Sequence, residues 1–122
     1  MKIINYQILE YTENLLNILQ NNDLYIPVKA NFLIQKNIKI MTAAAEEIEK
    51  SRITIVSHYG TLDAENNQYV VPEDKVAETN KEINDLFFME QDLDIKIFKL
   101  EDLGNIELTP KQMQALMFMI EE

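Results

Sequence analysis

The chain has 122 residues, with 21 acidic and 11 basic side chains and no cysteine. This length suits a single domain with one core, residues 1–122, and the lack of cysteine excludes disulfides and thiolate metal sites. No apolar run approaches the about 20 residues of a membrane span, and residues 1–5 lack the apolar stretch of a signal peptide, so we expect a soluble, cytoplasmic protein.

The net charge of −10 is unevenly distributed along the chain. Residues 1–60 carry six basic and six acidic side chains, whereas residues 61–122 carry five basic and fifteen acidic ones. Because phosphate backbones are bound by Lys and Arg, this acidic excess argues against duplex nucleic acid as a partner. A surface that mimics phosphate remains an alternative to simple solvation.

The N-terminal segment predicts a short strand followed by a helix. Residues 2–4 (KII) form the strand, and Asn5 is a suitable N-cap for the helix. One apolar face then recurs at helical spacing up to the polar stretch 20–23. Its members are Ile8, Tyr11, Leu15, Ile18 and Leu19. We expect this face to pack on the helix that follows.

A single long helix is predicted over residues 28–59, opened by Pro27 and closed by Gly60. Apolar residues alternate there in steps of four and three, which keeps one stripe facing a partner helix. The stripe consists of Ile34, Ile38, Met41, Ala45, Ile48, Arg52, Ile55 and Tyr59. A helix of about 45–50 Å exceeds what a small globule needs, so we expect it to contact another helix or a second subunit.

Charged residues on this helix leave two hypotheses open. Lys29, Lys36 and Lys50 recur every seven residues on the opposite side, as a solvated surface or as an anion-binding face. Arg52 interrupts the apolar stripe, and a buried guanidinium requires a partner. It either pairs with an acid of the following helix (Glu78, Glu82 or Asp85) or, with Lys36 and Lys39, binds an anionic ligand on which Phe32 or Tyr25 stacks.

Residues 61–71 predict a turn-rich excursion, in the form of a small hairpin with Asn66-Asn67 at its tip. Its acidic side chains have the offsets of a calcium loop, but Gln68 replaces the required glycine, and Asp74 is shorter than the glutamate expected at the last position. No metal or other cofactor is therefore predicted.

Two further segments complete the predicted fold. A helix begins at residues 72–74, ends near Met89 and packs antiparallel on the long helix. Its buried face consists of Val76, Ile83, Leu86 and Phe87. Residues 93–98 then alternate with the two-residue period of a half-buried strand, which needs a partner such as residues 2–4.

The last helix has the best-defined start. Thr109 and Gln112 form a capping box, Pro110 occupies the first helical position, and Leu108 can pack on Met113. An apolar face follows, with methionines that serve as core filler or as an adaptable binding surface. It consists of Met113, Leu116, Met117 and Ile120, widened by Phe118 and Met119. We expect this helix to dock on the helical hairpin or to exchange between subunits.

Several segments resemble a known family. They are residues 24–28 (LYIPV) before a long helix ending in Tyr59-Gly60, residues 99–103 (KLEDL), residues 106–110 (IELTP) and residues 119–121 (MIE). They resemble a family of small uncharacterised proteins, a domain of unknown function, from phages and prophages of Gram-positive bacteria. The resemblance spans nearly the full length and implies action inside an infected host cell. It implies no catalytic residues, and Asn66-Asn67 stands where the family favours glycine.

Residues with catalytic potential do not form a recognisable active site. His58 is the single histidine, and its neighbour Ser57 points elsewhere on a helix, so no nucleophile and base are paired. Carboxylates are abundant, but nothing marks one as desolvated and another as ionised. Gly60 and Gly104 leave no phosphate-binding loop. The sequence therefore predicts a protein that is not an enzyme.

The sequence predicts an α+β fold, mostly α: a long helical hairpin with flanking N- and C-terminal helices and a small β-sheet. The predicted function is that of a phage-encoded binding protein whose partner is a host protein or an anionic nucleotide, and the protein is expected to be a homo-oligomer. Such a protein would inhibit host defence, or sequester a signalling nucleotide through Lys36, Lys39 and Arg52. The predicted partner interface comprises Ile34, Ile38, Met41, Met113, Met117 and Ile120. The alternative is a particle or assembly component acting through self-association.

Overall fold

The computed structural model describes residues 1–19 and 24–121 and confirms the α+β, mostly helical fold class. Four α-helices are present in the described residues: α1 (Asn5–Leu19), α2 (Val28–Tyr59), α3 (Val76–Phe87) and α4 (Pro110–Leu116). Six short strands accompany them: β1 (Lys2–Ile4), β2 (Thr61–Asp63), β3 (Gln68–Val70), β4 (Glu90–Asp92), β5 (Phe98–Lys99) and β6 (Ile120–Glu121). The polar stretch 20–23, predicted to end α1, lies outside the described residues.

The long helix is unbroken, as the sequence predicts. α2 has 32 residues, begins after Pro27 and ends at Gly60, whose backbone N–H donates to the Val56 carbonyl. At the helical rise, this corresponds to about 48 Å. A side chain on Gly60 would place its Cβ 2.9 Å from the Val70 carbonyl oxygen, so only glycine lets the β2–β3 hairpin fold back so closely on the end of α2.

The core lies where α1 packs against the first two thirds of α2. The buried positions of α2 are spaced by fours and threes, and we call them its inner face. They are Ala30, Ile34, Asn37, Met41, Ala44 and Ile48. Ile8, Leu15 and Ile18 of α1 are buried with them. The sequence predicted the stripe to pass through Ile38 and Ala45, which are only partly buried, so the true inner face is rotated by about one residue.

The inner face includes one polar side chain that the sequence analysis overlooked. Asn37 is fully buried; its amide nitrogen donates to the Lys96 carbonyl at 2.8 Å, and its oxygen accepts from the Lys96 backbone N–H at 2.6 Å. These two hydrogen bonds to the Lys96 backbone replace the two hydrogen bonds that a neighbouring strand would make. It therefore anchors the segment after β4 to the middle of α2.

This anchoring explains why the predicted strand over residues 93–98 is wrong. The strand that pairs with β1 is β4, immediately upstream, with Ile3 opposite Gln91 in an antiparallel register. Residues 93–97 have no regular structure; Ile95 is buried and Ile97 is exposed. Of the three alternating apolar residues Leu93, Ile95 and Ile97, only Ile95 is buried, so the alternation does not correspond to one buried face of a strand.

Asn5 does not act as the predicted N-cap. It is the first residue of α1, buried, and its side chain donates to the Leu86 carbonyl at 2.8 Å and accepts from the Gln91 side chain at 2.8 Å. Its backbone N–H donates to the Met89 carbonyl. Asn5 therefore ties the end of α3 and β4 to the start of α1.

The β2–β3 hairpin and α3 follow α2 as predicted. Thr61 pairs with Val70 and Leu62 with Tyr69, and the tip residue Asn67 has a φ of 52°. A short 3-10 turn (Glu73–Lys75) leads into α3, which packs on α2. The prediction that Val76 is buried is wrong, because Thr79 is the buried residue of α3 and Val76 is exposed.

The C-terminal helix starts as predicted and docks within the chain. Thr109 accepts from the Gln112 backbone N–H, and the Gln112 side chain accepts from the Thr109 backbone N–H, which forms the capping box after which Pro110 begins the helix. α4 packs on α1, and the Tyr11 and Phe118 rings stack with centroids 4.7 Å apart. After a 3-10 turn (Met117–Met119), β6 pairs with β5 in parallel.

Candidate binding site

The residues predicted to hold an anionic ligand are spread along α2. Lys36 and Lys39 are exposed on its first half, and Arg52 lies in its last third. Thirteen residues separate Lys39 from Arg52, which is about 20 Å along a helix. Lys36 Nζ instead lies 4.9 Å from the centroid of the Phe32 ring. Within one chain, these three cations therefore do not surround a common ligand.

Arg52 pairs within its own helix. Its Nε donates to Glu49 Oε2 at 3.0 Å and its Nη2 donates to Glu49 Oε1, so the expected ion pair with an acid of α3 does not form. This hydrogen-bonded pair lowers the pKa of Glu49 and raises the pKa of Arg52. Both side chains are more than a third exposed, which makes the pair a weak stabiliser.

An acid of α3 acts on Tyr59, the last residue of α2, rather than on Arg52. Attraction of the Tyr59 hydroxyl proton to the Glu82 carboxylate raises the pKa of Tyr59. Arg52 lies beside the β2–β3 hairpin, where its side chain lines a cavity.

We call this cavity the distal cleft. It encloses about 390 Å³ between the last turns of α2 and the β2–β3 hairpin. Arg52, Ile53 and Val56 line it from the helix, and Asn67, Gln68 and Tyr69 line it from the hairpin. Aliphatic, aromatic, amide and guanidinium groups therefore meet in one place, which suits an amphipathic side chain of a protein partner.

The distal cleft belongs to a larger region with almost no core of its own. We define the distal arm as residues 49–89, which comprise the end of α2, the hairpin and α3. Between Ile48 and Ile95, a stretch that is described throughout, Thr79 is the only buried side chain. Leu62 and Tyr69, opposite each other across the hairpin, are 55% and 40% exposed. Val70, Val76 and Phe88 are also exposed.

The negative charge of the distal arm lies in the hairpin and α3, over residues 61–89. From Thr61 to Met89 there are seven acidic and two basic side chains. Lys75 Nζ lies 3.8 Å from Glu78 Oε2, and this ion pair partly neutralises one of the acids. The surface next to the exposed apolar side chains is therefore negative.

The acids at the hairpin turn are used locally. Asp63 Oδ1 accepts from the Glu65 backbone N–H at 3.1 Å, and Asp63 Oδ2 accepts from the Asn66 side chain at 2.8 Å. These bonds shape the turn and occupy the first position of the calcium-like spacing. Over residues 1–19 and 24–121, no three His, Asp or Glu side chains are grouped so as to hold a metal ion.

The residues predicted to form a partner interface divide into three groups. Ile34 and Met41 are fully buried in the chain's own core, so α1 covers them instead of a second subunit. Ile38, Met113 and Ile120 are half-buried. Met117 is 57% exposed, because the 3-10 turn after α4 rotates it outwards and places Met119 in the core.

A second cavity of about 420 Å³ lies between α1 and α4. Asn14 and Asn17 line one side, and Lys111, Gln112 and Gln114 line the other. Its named lining is mostly polar and uncharged, and it contains none of the residues predicted to bind a ligand. The distal cleft is enclosed by described residues alone.

Ser57 and His58 do not interact as a nucleophile and a base. The Ser57 hydroxyl donates to the Thr54 carbonyl at 2.9 Å, and the His58 ring packs edge-on against Tyr59 with centroids 4.8 Å apart. Their separation follows from neighbouring positions on a helix pointing in different directions.

Comparison of the chain with protein-family models, with curated proteins and with solved structures finds no match in any of the three. The resemblance to a phage family therefore stays a hypothesis. Across the described residues, none of the helices combines the length and apolar content needed to cross a membrane.

The sequence analysis did not single out Leu62 and Tyr69, whose side chains are exposed on the hairpin. A two-residue alternation around the Asn66-Asn67 turn would have placed them opposite each other. Their exposure, however, depends on how the hairpin sits on α2, which no local pattern determines.

Proposed function

We propose that this protein is a non-enzymatic binding protein that occupies a positively charged surface of a host protein through its distal arm. The observation that carries the proposal is the lack of a buried apolar side chain between Ile48 and Ile95. A two-stranded hairpin and a helix with so little core are marginal on their own, and a partner that covers them stabilises both.

The charge and the exposed side chains of the distal arm indicate the chemistry of its partner. Seven acidic and two basic side chains over residues 61–89 favour a basic surface on the other protein. Leu62 and Tyr69 supply apolar and aromatic contacts of the kind that dominate binding energy at interfaces. In an infected cell, such a protein would block a host defence factor by covering its basic surface.

The nucleotide-sequestering role is less well supported by the same geometry. Arg52 already bonds Glu49, and Lys36 and Lys39 lie far along α2 from it. An anion entering the distal cleft would compete with the Glu49 carboxylate for the Arg52 guanidinium. Protein binding requires no such competition, because the other groups that line the cleft are apolar or neutral.

The test compares capture by matched variants from a lysate of a Gram-positive host. We expect the wild type and Leu16→Ser, which alters an exposed residue of α1, to retain one stoichiometric basic protein. The double variant Leu62→Ser/Tyr69→Ala should bind it at least about tenfold more weakly, while its circular dichroism spectrum is unchanged.

Three results would overturn the proposal. They are the absence of a stoichiometric partner, equal binding by the double variant, and a partner that is acidic. A rise in melting temperature with cyclic or ADP-ribose-type nucleotides would favour the sequestering role instead. Detection of the protein in purified virions would favour the particle component.

A further inference from the structure

The distal cleft is bordered by one edge of the β2–β3 hairpin. Its lining from the hairpin consists of three consecutive residues, Asn67, Gln68 and Tyr69, and β2 contributes none of the described lining residues. Successive side chains of a strand point to opposite faces, so a cavity over one face would be lined by alternate residues of both strands. This cavity therefore lies along the edge of β3 that faces away from β2, which we call the outer edge.

The backbone of Tyr69 is directed to the outer edge. The Val70 carbonyl oxygen lies 2.9 Å from the position that a Cβ on Gly60 would occupy, so it points towards the start of β2, where its register partner Thr61 lies. In an antiparallel pair, residues alternate between directing their N–H and C=O groups towards the other strand and away from it. Tyr69, one residue before Val70, therefore directs both groups away from β2. Outside the hairpin, no backbone group of the described residues bonds either of them.

The opposite wall of the cleft is a helix surface. Ile53 and Val56 supply aliphatic side chains from α2, and Ile53 is 43% exposed. Arg52 also lines this wall, but the hydrogen-bonded Glu49 carboxylate offsets its charge. The cleft therefore places open backbone hydrogen-bonding groups opposite an apolar helix surface. An extended peptide suits both walls, because its backbone pairs with a strand edge while its side chains pack on the helix.

On the basis of the proposed function, we infer that the distal cleft binds an extended segment of the partner protein as an additional strand on the outer edge of β3. The residue opposite Tyr69 exchanges two hydrogen bonds with its backbone. The side chain of that residue lies on the face shared by Leu62 and Tyr69, which favours an apolar residue there. Its two neighbours lie on the other face, which carries Asp63 opposite Gln68 and favours cations. The segment therefore alternates apolar and basic residues.

Charge favours a segment of a basic protein over a second copy of this chain. Residues 61–89 carry seven acidic and two basic side chains, which is an excess of five negative charges. Two copies that paired through their outer edges would bring these two excesses together, which is unfavourable. A basic segment instead gains from the same charge.

The outer edge of β3 is short. Asn67, which has a φ of 52°, precedes the strand, and Pro72, which has no N–H, lies two residues after its end. Few backbone hydrogen bonds are therefore available to the added strand. We expect an isolated peptide to bind weakly, with the exposed apolar side chains of the distal arm supplying further contacts to a whole partner protein.

Titration of the full-length protein with a model peptide, followed by NMR, tests the strand pairing. The probe is a capped octapeptide of alternating lysine and valine. We expect it to bind with a dissociation constant below about 1 mM and to slow the exchange of the Tyr69 amide proton with solvent. An octapeptide of alternating glutamate and valine should bind at least about tenfold more weakly, because its charge is opposite. N-methylation of the valines in the first peptide should have the same effect, because it removes the N–H groups that pair with Tyr69.

Changes in the protein test the two walls of the cleft separately. Ile53→Ser should weaken binding of the lysine–valine peptide by about fivefold, whereas Val28→Ser, also an exposed residue of α2 but at its other end, should not change it. Replacing the Tyr69 N–H by an ester oxygen, with the side chain retained, should weaken binding by at least about tenfold. Close contact between the α-protons of Leu62 and Tyr69, expected for a pair that is not hydrogen-bonded, shows that the hairpin is intact.

Strand pairing is rejected if millimolar lysine–valine peptide leaves the Tyr69 amide unchanged, if the N-methylated peptide binds equally well, or if Ile53→Ser and Val28→Ser have equal effects. The proposed function fails separately. A host protein that binds the wild type and the Tyr69 ester equally, but not Leu62→Ser/Tyr69→Ala, would retain the proposed function and reject strand pairing. Peptide binding without any captured host protein would support strand pairing and reject the host-protein role.

Discussion

One buried side chain, that of Asn37, connects several distant parts of the fold. Its amide group bonds both the N–H and the carbonyl of Lys96, and its amide nitrogen also lies 3.5 Å from the sulfur of Met119. Three distant parts of the chain, α2, the segment after β4 and the C-terminal turn, meet at this residue. Every buried polar side chain in the described residues has a hydrogen-bond partner, so Asn37 belongs to a fully satisfied core.

Replacing Asn37 by alanine should lower the free energy of unfolding by about 2–4 kcal/mol, because two backbone groups of Lys96 lose their partner in a buried setting. Urea denaturation followed by circular dichroism measures the change. Asn80→Ala, at an exposed position of α3, should change stability by no more than about 0.5 kcal/mol. Equal effects of the two substitutions would contradict this role for Asn37.

The pKa of Glu49 gives a prediction about acid stability. Its hydrogen bonds to Arg52 lower its folded-state pKa below the ordinary 4.5. A lowered carboxyl pKa stabilises the fold at pH values above the unfolded pKa, and this contribution is lost as pH falls through the folded one. Because the pair is partly exposed, solvent screening limits the contribution to less than about 1 kcal/mol.

Glu49→Gln should therefore unfold at a slightly lower urea concentration than the wild type at pH 7. The difference should shrink as pH is lowered below 4.5 and Glu49 becomes protonated in the wild type. Glu107→Gln, an exposed acid with no ion pair in the described residues, serves as the control. A difference that grows on acidification would have the wrong sign for a lowered pKa.

Local chemistry determines how several elements begin and end. The capping box of α4 and the Pro27 start of α2 are set by neighbouring residues, and both were predicted correctly. The 3-10 turn over residues 100–103 ends at Gly104, whose φ of 66° is in the left-handed region that other residues rarely adopt. A Cβ at Gly104 would also lie 3.3 Å from Pro27 Cγ, so this turn packs tightly against the start of α2.

Gly104→Ala should lower the free energy of unfolding by about 1–3 kcal/mol, since alanine strains this backbone conformation. Thermal or urea unfolding measures the loss. The neighbouring Asn105→Ala, which changes an exposed residue, should have a much smaller effect. If both substitutions are equally tolerated, the conformation of this turn differs from the one described.

The strands show the limit of local patterns at the scale of elements. Residues 93–98 alternate in polarity but contribute only Phe98 to a strand, whereas the polar β4 pairs with β1. The Asn37 side chain, and not a neighbouring strand, bonds the backbone of Lys96 in this segment. Which strands pair depends on which backbone groups come within hydrogen-bonding distance of each other. This in turn depends on the packing of α1 and α2.

At the scale of the whole molecule, stability is unevenly distributed. The described part of the chain has sixteen buried apolar residues, and none of them lies in the distal arm, between Ile48 and Ile95. α3 contacts α2 mainly through half-buried side chains, with Thr79 alone buried. The distal arm is therefore held by fewer apolar contacts than the α1–α2 core.

Hydrogen exchange should reveal this difference. Amides of α3 should exchange through local opening with a lower free energy than amides in the middle of α1 and in the first half of α2. Mass spectrometry or NMR exchange on the full-length protein measures both regions together. Equal protection of α3 and α1 would show that the arm and the core open as one unit.

The sequence by itself determined the helices, the starts of α2 and α4, the hairpin turn and the acidic second half, because these follow from periodicity, local hydrogen bonds and composition. It also predicted the stripe of α2 to within about one residue. The packing of α1 on α2 was also expected from the sequence, whereas tertiary structure alone decided that Arg52 bonds Glu49 and that Leu62 and Tyr69 are exposed. The physical reason is that burial and pairing depend on contacts between residues far apart in the chain, whereas helix formation depends on near neighbours.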